Sequence, residues 1–372
     1  MPKYRFSEIA INVTDKRMPV PEDKDLYIAP NNLDTDTLSV PEFGYKVDLN
    51  GTKLIMHKGD MLFGRREPQL KKAAIAPHDG LFSAHGMIFH PREEVVTKEF
   101  FPFFISSDYF FDAAIRISVG SLSPTVNWKD LKDLEFNIPD LTAQQEYAKV
   151  LWAMIRAKKA YKELIKKTDD LVKSQFIEMF GDPVENPMRW GKKPLSKSCQ
   201  LLTGNTPSRK VPEYYGKYIE WIKSDNISTS SVFLSTAAER LSESGAAVGR
   251  VVEPGSILMT CIAGSLNTIG NVAIVDRQVA FNQQINALIP KEYETMVLYY
   301  LLQLIRPQLH EAANSALKCI LNKGTLGSIQ AIVPDTALQK RFASIAEQSD
   351  KSKYLLQRKM GQLRYKERYI GG

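Results

Sequence analysis

The stretch from residue 141 to residue 182 constrains the fold most, because its length and periodicity suit one long helix. Its apolar residues recur three, four or seven positions apart, as one buried helix face requires. They are Tyr147, Leu151, Met154, Tyr161, Ile165 and Val172. Such a helix would be on the order of 55–60 Å long, so we expect a spacer whose apolar stripe is covered by a second helix.

The segments before and after this helix resemble one another. A shift of 195 positions aligns Asn127 with Asn322, Leu131 with Leu326, Pro139-Asp140 with Pro334-Asp335, Gln144 with Gln339, Tyr147 with Phe342 and Ala148 with Ala343. Farther upstream the shift drifts, but residues 58–62 still match 254–258, and residues 82–85 match 281–284. Coincidence among common residues is the alternative, and the preserved order argues against it. The repeat therefore predicts two similar domains, each followed by a long helix.

Helices are also predicted inside each domain and at the start of the spacer. An aromatic stretch at residues 99–115 predicts a buried helix, and residues 295–313 predict its counterpart in the second domain. Thr142 is a suitable N-cap for the spacer helix, with Gln145 in the capping-box position.

The size and charge of the chain fit this architecture. Its 372 residues suffice for two domains and connecting helices. Lys and Arg number 49 against 42 Asp and Glu, a formal charge of +7, which permits a polyanionic partner without proving one. If the two helices pair antiparallel, the domains are related by a pseudo-twofold axis. Duplex DNA, which has an approximate dyad of its own, suits such a frame.

The polar side of the spacer helix is rich in lysine. Its lysines are Lys158, Lys159, Lys162, Lys166 and Lys167, of which Lys158 shares the register of the apolar stripe. A solvated face is the favoured interpretation, and contact with a DNA backbone is the alternative.

Cysteine usage and hydropathy predict a cytoplasmic protein without a membrane partner. Cys199, Cys261 and Cys319 are an odd number and suit reduced thiols better than a disulfide framework. We see no apolar run that suits a signal peptide or a membrane span.

The motifs of common catalytic centres are missing from the sequence. It has no phosphate-binding loop, no dinucleotide fingerprint between Gly264 and Gly270, and no zinc-ligand spacing among its histidines. Asp140 and Asp335 each follow a proline, as in some nucleases, but no acidic-x-Lys motif comes soon after. The repeat explains both as turns that lead into helices. We therefore predict no catalytic residue, and neither a metal nor a cofactor bound by this chain.

Groups suited to binding DNA occur at like positions in the two domains. The first domain offers Arg65, Arg66, Lys71, Lys72 and His85. The second offers Thr206, Ser208, Arg209, Lys210, Lys223, Ser265, Asn282 and Gln284. Cations can neutralise phosphates or bind guanine edges, and side-chain amides suit paired hydrogen bonds with adenine.

Each of these groups also has a structural explanation. The first-domain cations could form salt bridges to Glu67 and Asp79 along an exposed edge. One of the amides at residues 282–284 could satisfy buried backbone groups, and residues 203–210 could be a simple turn.

The residues at the end of the spacer helix resemble a known family. Residues 174–183, Ser-Gln-Phe-Ile-Glu-Met-Phe-Gly-Asp-Pro, with Asn186-Pro187 and Trp190, resemble the junction before the second recognition domain in specificity (S) subunits of type I DNA restriction–modification systems. Residues 203–208 with 215–216 and 220–222 resemble the opening of one class of recognition domain. Residues 59–66 with 72–76 resemble another class. Two departures are Gln69-Leu70, where an aromatic residue is common, and a last helix that ends soon, in Tyr369-Ile-Gly-Gly.

The resemblance implies an α+β fold: two similar mixed α/β target-recognition domains separated by two long antiparallel helices that form a coiled-coil spacer. The predicted boundaries are residues 1–140 for the first domain, 141–181 for the central helix, 182–336 for the second domain and 337–372 for the last helix.

The resemblance also implies a function and partners. Each domain would bind one half of a split target in double-stranded DNA. Methyltransferase (M) subunits would dock on the helices, and the restriction/motor (R) subunit would join that complex. The S subunit would direct adenine methylation or restriction without performing either. S-adenosylmethionine, ATP and Mg²⁺ are expected on the partner subunits.

Two other hypotheses remain open from the residues alone. One is a self-sufficient DNA nuclease acting through Asp140 and Asp335, and the other is a scaffold that binds proteins through the coiled coil. DNA affinity that falls steeply with salt would favour the specificity subunit over the scaffold.

Overall fold

The computed structural model describes residues 1–45, 48–227, 231–314 and 320–370, and the side chains of 314 and 364–370 lie outside that description. Contacts divide the chain into two units: Met1–Leu164 with Leu356–Gly372, and Ile165–Leu355. Both divisions fall within long helices. The domain boundaries predicted at residues 140, 181 and 336 divide the chain differently, and they stay a prediction.

The first unit combines short strands and helices with the first part of the spacer helix. Its strands are β1 (Lys3–Arg5), β2 (Ala10–Val13), β3 (Lys16–Arg17), β4 (Lys53–Met56), β5 (Met61–Gly64), β6 (Ala73–Ile75), β7 (Gly80–Phe82), β8 (Gly86–Pro91) and β9 (Glu135–Asn137). Its helices are α1 (Phe6–Ile9), α2 (Phe101–Ser106), α3 (Asp108–Arg116), α4 (Trp128–Leu131) and the beginning of α5 (Leu141–Phe180). One sheet has the order β2-β8-β5-β6, another has the order β3-β4-β7, and β1 pairs with β9.

The second unit begins with the rest of α5. Its strands are β10 (Lys192–Pro194), β11 (Cys199–Thr203), β12 (Tyr215–Ile222), β13 (Arg240–Leu241), β14 (Val251–Val252), β15 (Ile257–Thr260), β16 (Val272–Ile274), β17 (Val279–Phe281), β18 (Ile285–Pro290) and β19 (Gln330–Ile332). Its helices are α6 (Leu195–Ser198), α7 (Glu243–Val248), α8 (Thr295–Leu304), α9 (Arg306–Asn314), α10 (Lys323–Ser328) and the first part of α11 (Thr336–Ile370). The sheets have the orders β11-β18-β15-β16, β13-β12-β17-β14 and β10-β19.

The two units share the topology of their main sheet, which confirms the predicted repeat and fold class. The sheet β2-β8-β5-β6 corresponds strand by strand to β11-β18-β15-β16, and all pairs in both sheets are antiparallel. Phe82 forms a parallel bridge with Ile28, and Phe281 pairs in parallel with Ile222. The sequence match of Phe82 with Phe281 thus corresponds to one place in the fold.

Each predicted internal helix is two helices in the structure. The first prediction, residues 99–115, overlaps α2 and α3, which are separated at Ser107, and the second, residues 295–313, overlaps α8 and α9, which are separated at Ile305. Ser107 is extended at φ −71° and ψ 151°, and its hydroxyl accepts the Phe110 N–H at 3.1 Å. This side-chain cap starts a new helix where hydrophobicity alone predicted continuation.

Aromatic packing joins the two long helices inside the second unit. Phe176 and Phe180 of α5 are fully buried against Phe342 of α11, with ring centroids 5.3 and 5.6 Å apart. Asp169, earlier in α5, contacts Lys353, later in α11. The two helices therefore run antiparallel in this unit, as predicted.

The predicted stripe of α5 is only partly buried. Leu151, Met154 and Val172 are buried, whereas Tyr147, Tyr161 and Ile165 are half-buried. The solvated-face interpretation is wrong for Lys158, which is 2% exposed, because its register places it on the packed side. In addition, Lys162 pairs with Asp34 at 2.7 Å. Lys159, Lys166 and Lys167 are exposed, as that interpretation requires.

The N-cap of α5 is Asp140 rather than Thr142. The helix begins at Leu141, and a carboxylate oxygen of Asp140 accepts the Ala143 N–H at 2.9 Å. A carboxylate one residue before the helix satisfies a first-turn donor, so the capping role predicted for Thr142 is already filled.

None of the described helices is long and apolar enough to span a membrane. Cys199 and Cys261 are free and buried, and burial raises the pKa of both thiols to about 12. Cys319 lies outside the described residues.

The ion pair between Asp169 and Lys353 gives a test of the helix packing. The two groups are 3.2 Å apart and Lys353 is buried. Asp169→Leu leaves the ammonium with only Asp350, whose carboxylate lies 3.9 Å away. We expect the free energy of unfolding to fall by about 1–3 kcal/mol, measured by urea denaturation. The double variant Asp169→Leu/Lys353→Met should recover most of that loss, because the buried ammonium is then removed together with the carboxylate that pairs with it; a double variant as unstable as the single one would contradict this.

The ion pair between Asp169 and Lys353 also makes the free energy of unfolding depend on pH. Burial favours the neutral carboxyl of Asp169, but Lys173 and Lys353 together hold its pKa below its usual range. A carboxyl whose folded-state pKa is lowered contributes stability at neutral pH, which is lost as the pH falls below about 3.9 toward the folded-state pKa. Acid unfolding of wild type should therefore be steeper than that of the double variant.

Candidate nucleic-acid interface

Two matched turns connect corresponding strands in the two units. One is residues 83–86, between β7 and β8, and the other is residues 282–285, between β17 and β18. The Gly86 N–H donates to the Ser83 carbonyl at 3.0 Å, and the Ile285 N–H donates to the Asn282 carbonyl at 3.1 Å. The sequence therefore builds the same backbone turn twice.

The first side chain of each matched turn has the same structural role. Ser83 Oγ accepts the His85 N–H at 3.2 Å, and Asn282 Oδ1 accepts the Gln284 N–H at 3.1 Å. Asn282 is 6% exposed, and its amide also donates to Gln284 Oε1 at 3.1 Å. Asn282, one of the predicted DNA contacts, thus holds the turn, while Gln283 beside it is exposed.

In the first unit, three cationic side chains lie near the matched turn. Arg65 and Arg66 follow β5, Lys53 begins β4, and His85 lies in the turn. Burial and then the positive charges of Arg66, Arg65 and Lys53 lower the pKa of His85. The imidazole is therefore mainly neutral at pH 7. We call the three cations Arg65, Arg66 and Lys53, together with the neutral His85, the first-unit cation cluster.

The arginines of this cluster are available to a ligand. Arg65 is half-buried and makes one long hydrogen bond, from Nη2 to Asn127 Oδ1 at 3.4 Å, and Arg66 is exposed. Within the described ranges neither arginine forms a salt bridge, so the alternative with Glu67 and Asp79 is wrong. Asp79 instead accepts the Lys58 N–H at 2.8 Å.

Lys71 and Lys72 are held by the protein itself. Lys71 forms an ion pair with Asp108 and lies 3.4 Å from Asp112. Lys72 donates from Nζ to the Leu33 carbonyl at 3.2 Å. These neighbours already engage both ammonium groups, so Arg65, Arg66 and His85 form the stronger candidate set. DNA binding by Lys71 and Lys72 stays a prediction.

In the second unit the loop at residues 203–210 packs against the matched turn. A Cβ added at Gly204 would lie 2.0 Å from the Asn282 carbonyl oxygen, so the close approach requires glycine. The Asn205 N–H donates to the Phe281 carbonyl at 3.1 Å, and the Thr206 hydroxyl donates to Gln283 Oε1. Thr206 and Gln283 therefore form one exposed polar surface.

A second polar group surrounds Glu239, which sequence analysis missed. Arg209 and Lys223 contact its two carboxylate oxygens at 2.7 and 2.9 Å. Both cations also lie over the ring of Trp221, at 5.4 and 5.2 Å from its centroid. The hydrogen bond from Lys223, opposed by burial and aided by Arg209, lowers the pKa of Glu239. Glu239 is 30 residues from Arg209 in sequence, so no local motif marks it.

The other predicted residues of the second unit are exposed turn residues. Ser208 Oγ accepts the Lys210 N–H at 3.3 Å, and Ser265 Oγ accepts the Asn267 N–H at 3.3 Å. Their DNA contacts stay predictions. Across the described residues, no group of three or more His, Cys, Asp or Glu side chains could hold a metal ion.

Comparison with known proteins identifies relatives of this chain. The family of the type I restriction modification DNA specificity domain matches residues 28–167 and 187–363. The specificity subunit of type I restriction enzyme HindI from Haemophilus influenzae is 30% identical over 174 residues, which are 44% of this chain and 37% of that protein. The MjaIX specificity subunit from Methanocaldococcus jannaschii is 26% identical over 170 residues, 44% of this chain and 38% of that protein.

The matched segments thus span well under half the length of these curated relatives. A crystal structure of the type I restriction–modification S subunit from M. genitalium matches with a TM-score of 0.55 at 14% identity, over 99% of this chain and 94% of that one. At that identity the match supports the fold alone.

The first-unit cation cluster makes a direct prediction about binding. Arg66→Gln should weaken duplex binding by about 1–3 kcal/mol and reduce the slope of log K against log salt by about one. Lys58→Gln is the matched control, since Lys58 is an exposed cation at the opposite end of β5. Fluorescence anisotropy at several salt concentrations measures both quantities. Equal losses for the two variants would show that the cluster has no special role.

The contact of Arg209 and Lys223 with Glu239 predicts the opposite effect. Glu239→Gln removes a negative charge that pairs with two cations, so duplex affinity and its salt dependence should both increase. Glu243→Gln, an exposed change of the same kind in α7, is the control. Unchanged binding by Glu239→Gln, in the same anisotropy assay, would exclude this surface from DNA contact.

Proposed function

We propose, from the premise that this chain belongs to the type I restriction–modification DNA specificity family, that it is the subunit that recognises the DNA target of such a complex. Each unit binds one half of a bipartite sequence in duplex DNA. The chain acts in the cytoplasm and supplies no catalytic group. It directs methylation or restriction that other subunits carry out.

One observation carries this proposal: the matched turns have the same backbone but different exposed side chains. The first turn presents His85 beside Arg65 and Arg66, whereas the second presents Gln283 beside Thr206. Cys261 and Ile262 follow β15 where the arginines follow β5, so the second unit has no cation at that place. A shared frame with different hydrogen-bonding groups suits two half-sites of different sequence.

The exposed side of α5 carries apolar residues that suit the binding of protein partners. Val150 and Leu164 are separated by 14 residues, two heptads, and Leu164 is 47% exposed. Such spacing places them along one side of the helix. We assign this side to methyltransferase subunits. The restriction/motor subunit then joins the complex, and S-adenosylmethionine, ATP and Mg²⁺ belong to those partners.

The nuclease alternative is weaker than the specificity subunit. Asp140 was one of its two candidate carboxylates, with Asp335, and the Asp140 side chain caps α5 by accepting the Ala143 N–H at 2.9 Å. A carboxylate that satisfies a helix N-terminus is already engaged and stabilised there. The scaffold alternative gives no account of the duplicated polar turns.

The proposal predicts two protected half-sites with an unprotected gap, whose length depends on the spacer helices. Insertions of seven residues after both Leu164 and Leu355, where the contact units divide, should lengthen the accepted gap by roughly three base pairs. Footprinting and methylation mapping of the assembled complex measure the gap.

An insertion of the same length after Leu122, in an exposed turn, is the control and should leave the gap unchanged. A continuous footprint in wild type would contradict the bipartite target. A gap that is unaltered by the helix insertions would contradict the spacer role.

A further inference from the structure

Two glutamines occupy the same position in the two long helices. Gln144 is the fourth residue of α5, and Gln339 is the fourth residue of α11. Their side chains are buried, at 0% and 1% exposure, although glutamine is usually a surface residue. A buried amide with a donor group and an acceptor group needs partners for both, so its surroundings must be built to match it.

Both glutamines make the same three side-chain hydrogen bonds. Gln144 donates from Nε2 to the carbonyls of Val95 at 2.9 Å and Pro139 at 2.8 Å, and its Oε1 accepts the Thr97 N–H at 2.7 Å. All of these partners are backbone groups of the first unit.

Gln339 repeats this arrangement in the second unit. Its Nε2 donates to the carbonyls of Glu292 at 3.0 Å and Pro334 at 2.9 Å, and its Oε1 accepts the Glu294 N–H at 2.9 Å. We call each set of three hydrogen bonds a clamp. Because the partners are backbone atoms, both clamps depend on where the partner backbone lies and not on which side chains it carries.

The clamps connect the helices to the strands that carry the matched turns. Strand β8 begins after the turn at 83–86 and is followed by residues 95–97, which bind Gln144. Strand β18 begins after the turn at 282–285 and is followed by residues 292–294, which bind Gln339. One short strand therefore separates each candidate DNA contact from the glutamine that fixes the helix.

The geometry of the clamps restricts rotation of the helix start. The proline carbonyl lies just before the helix, whereas the other two partners lie in the segment that leaves the sheet. A single planar amide that bonds to both sides fixes the direction of the helix relative to the sheet. Apolar packing alone would permit small rotations, because it is not directional.

We propose that Gln144 and Gln339 are positioning residues that fix the angle between each recognition domain and its spacer helix, and thereby restrict the gap lengths that the complex accepts. This inference rests on the proposed function. It adds that gap selectivity depends on the two joints as well as on helix length.

Methylation mapping with the assembled complex tests the inference. Gln144→Met and Gln339→Met keep the side-chain length and remove all three hydrogen bonds. Each variant should keep both half-site sequences, while methylation of sites whose gap differs by one base pair rises about tenfold relative to wild type, equivalent to about 1.4 kcal/mol. Gln145→Met and Lys340→Met are the controls, because these exposed neighbours lie in the same helical turns.

A second substitution covers the case in which the methionine variants do not fold. Gln144→Glu and Gln339→Glu keep the bond accepted from the backbone N–H, and a protonated carboxyl can still donate one bond. Urea denaturation of each variant separates loss of folding from loss of selectivity.

The outcomes separate this inference from the proposed function. Folded variants that accept only the wild-type gap would overturn the inference, and so would variants that change a half-site sequence while keeping the gap. If the wild-type complex methylates no split site, the proposed function itself fails, and the inference fails with it.

Discussion

The rest of the structure depends on the burial of one apolar helix face. A 40-residue helix such as α5 cannot bury its own apolar stripe, so it requires other elements to pack against that stripe. In the second unit one such element is α11, and Phe176, Phe180 and Phe342 form the contact. Because α11 follows the second copy of the domain, the duplication supplies both the domain pair and the helix pair.

The duplication also explains why binding chemistry can differ while the frame stays constant. The turn that follows β7 or β17 is held by backbone bonds and by the side chain of its first residue, Ser83 or Asn282. The residues at its tip are not needed for the turn itself. His85 in one unit and Gln283 in the other can therefore change without loss of the fold.

Much of the fold was predictable from the sequence, because long periodic stretches and a repeat are strong signals. The spacer helix, the duplicated domain and the antiparallel pairing in the second unit were predicted correctly. The breaks at Ser107 and Ile305 and the cap at Asp140 were missed, since they depend on which local hydrogen bond forms. Of the candidate site, Arg65 and Arg66 were predicted from the sequence, but Glu239 was not, because its partners are distant in sequence.

Gln144 and Gln339 show what an alignment alone can and cannot reveal. The repeat matched them, but a glutamine near a helix start is normally a surface residue or a capping-box member, which is why Gln145 was assigned that role. Only the structure shows that Gln144 and Gln339 are buried and bonded to the segments that leave β8 and β18. A buried amide is costly when unpaired, so its retention at both joints argues that direction, rather than stability alone, is what these residues contribute.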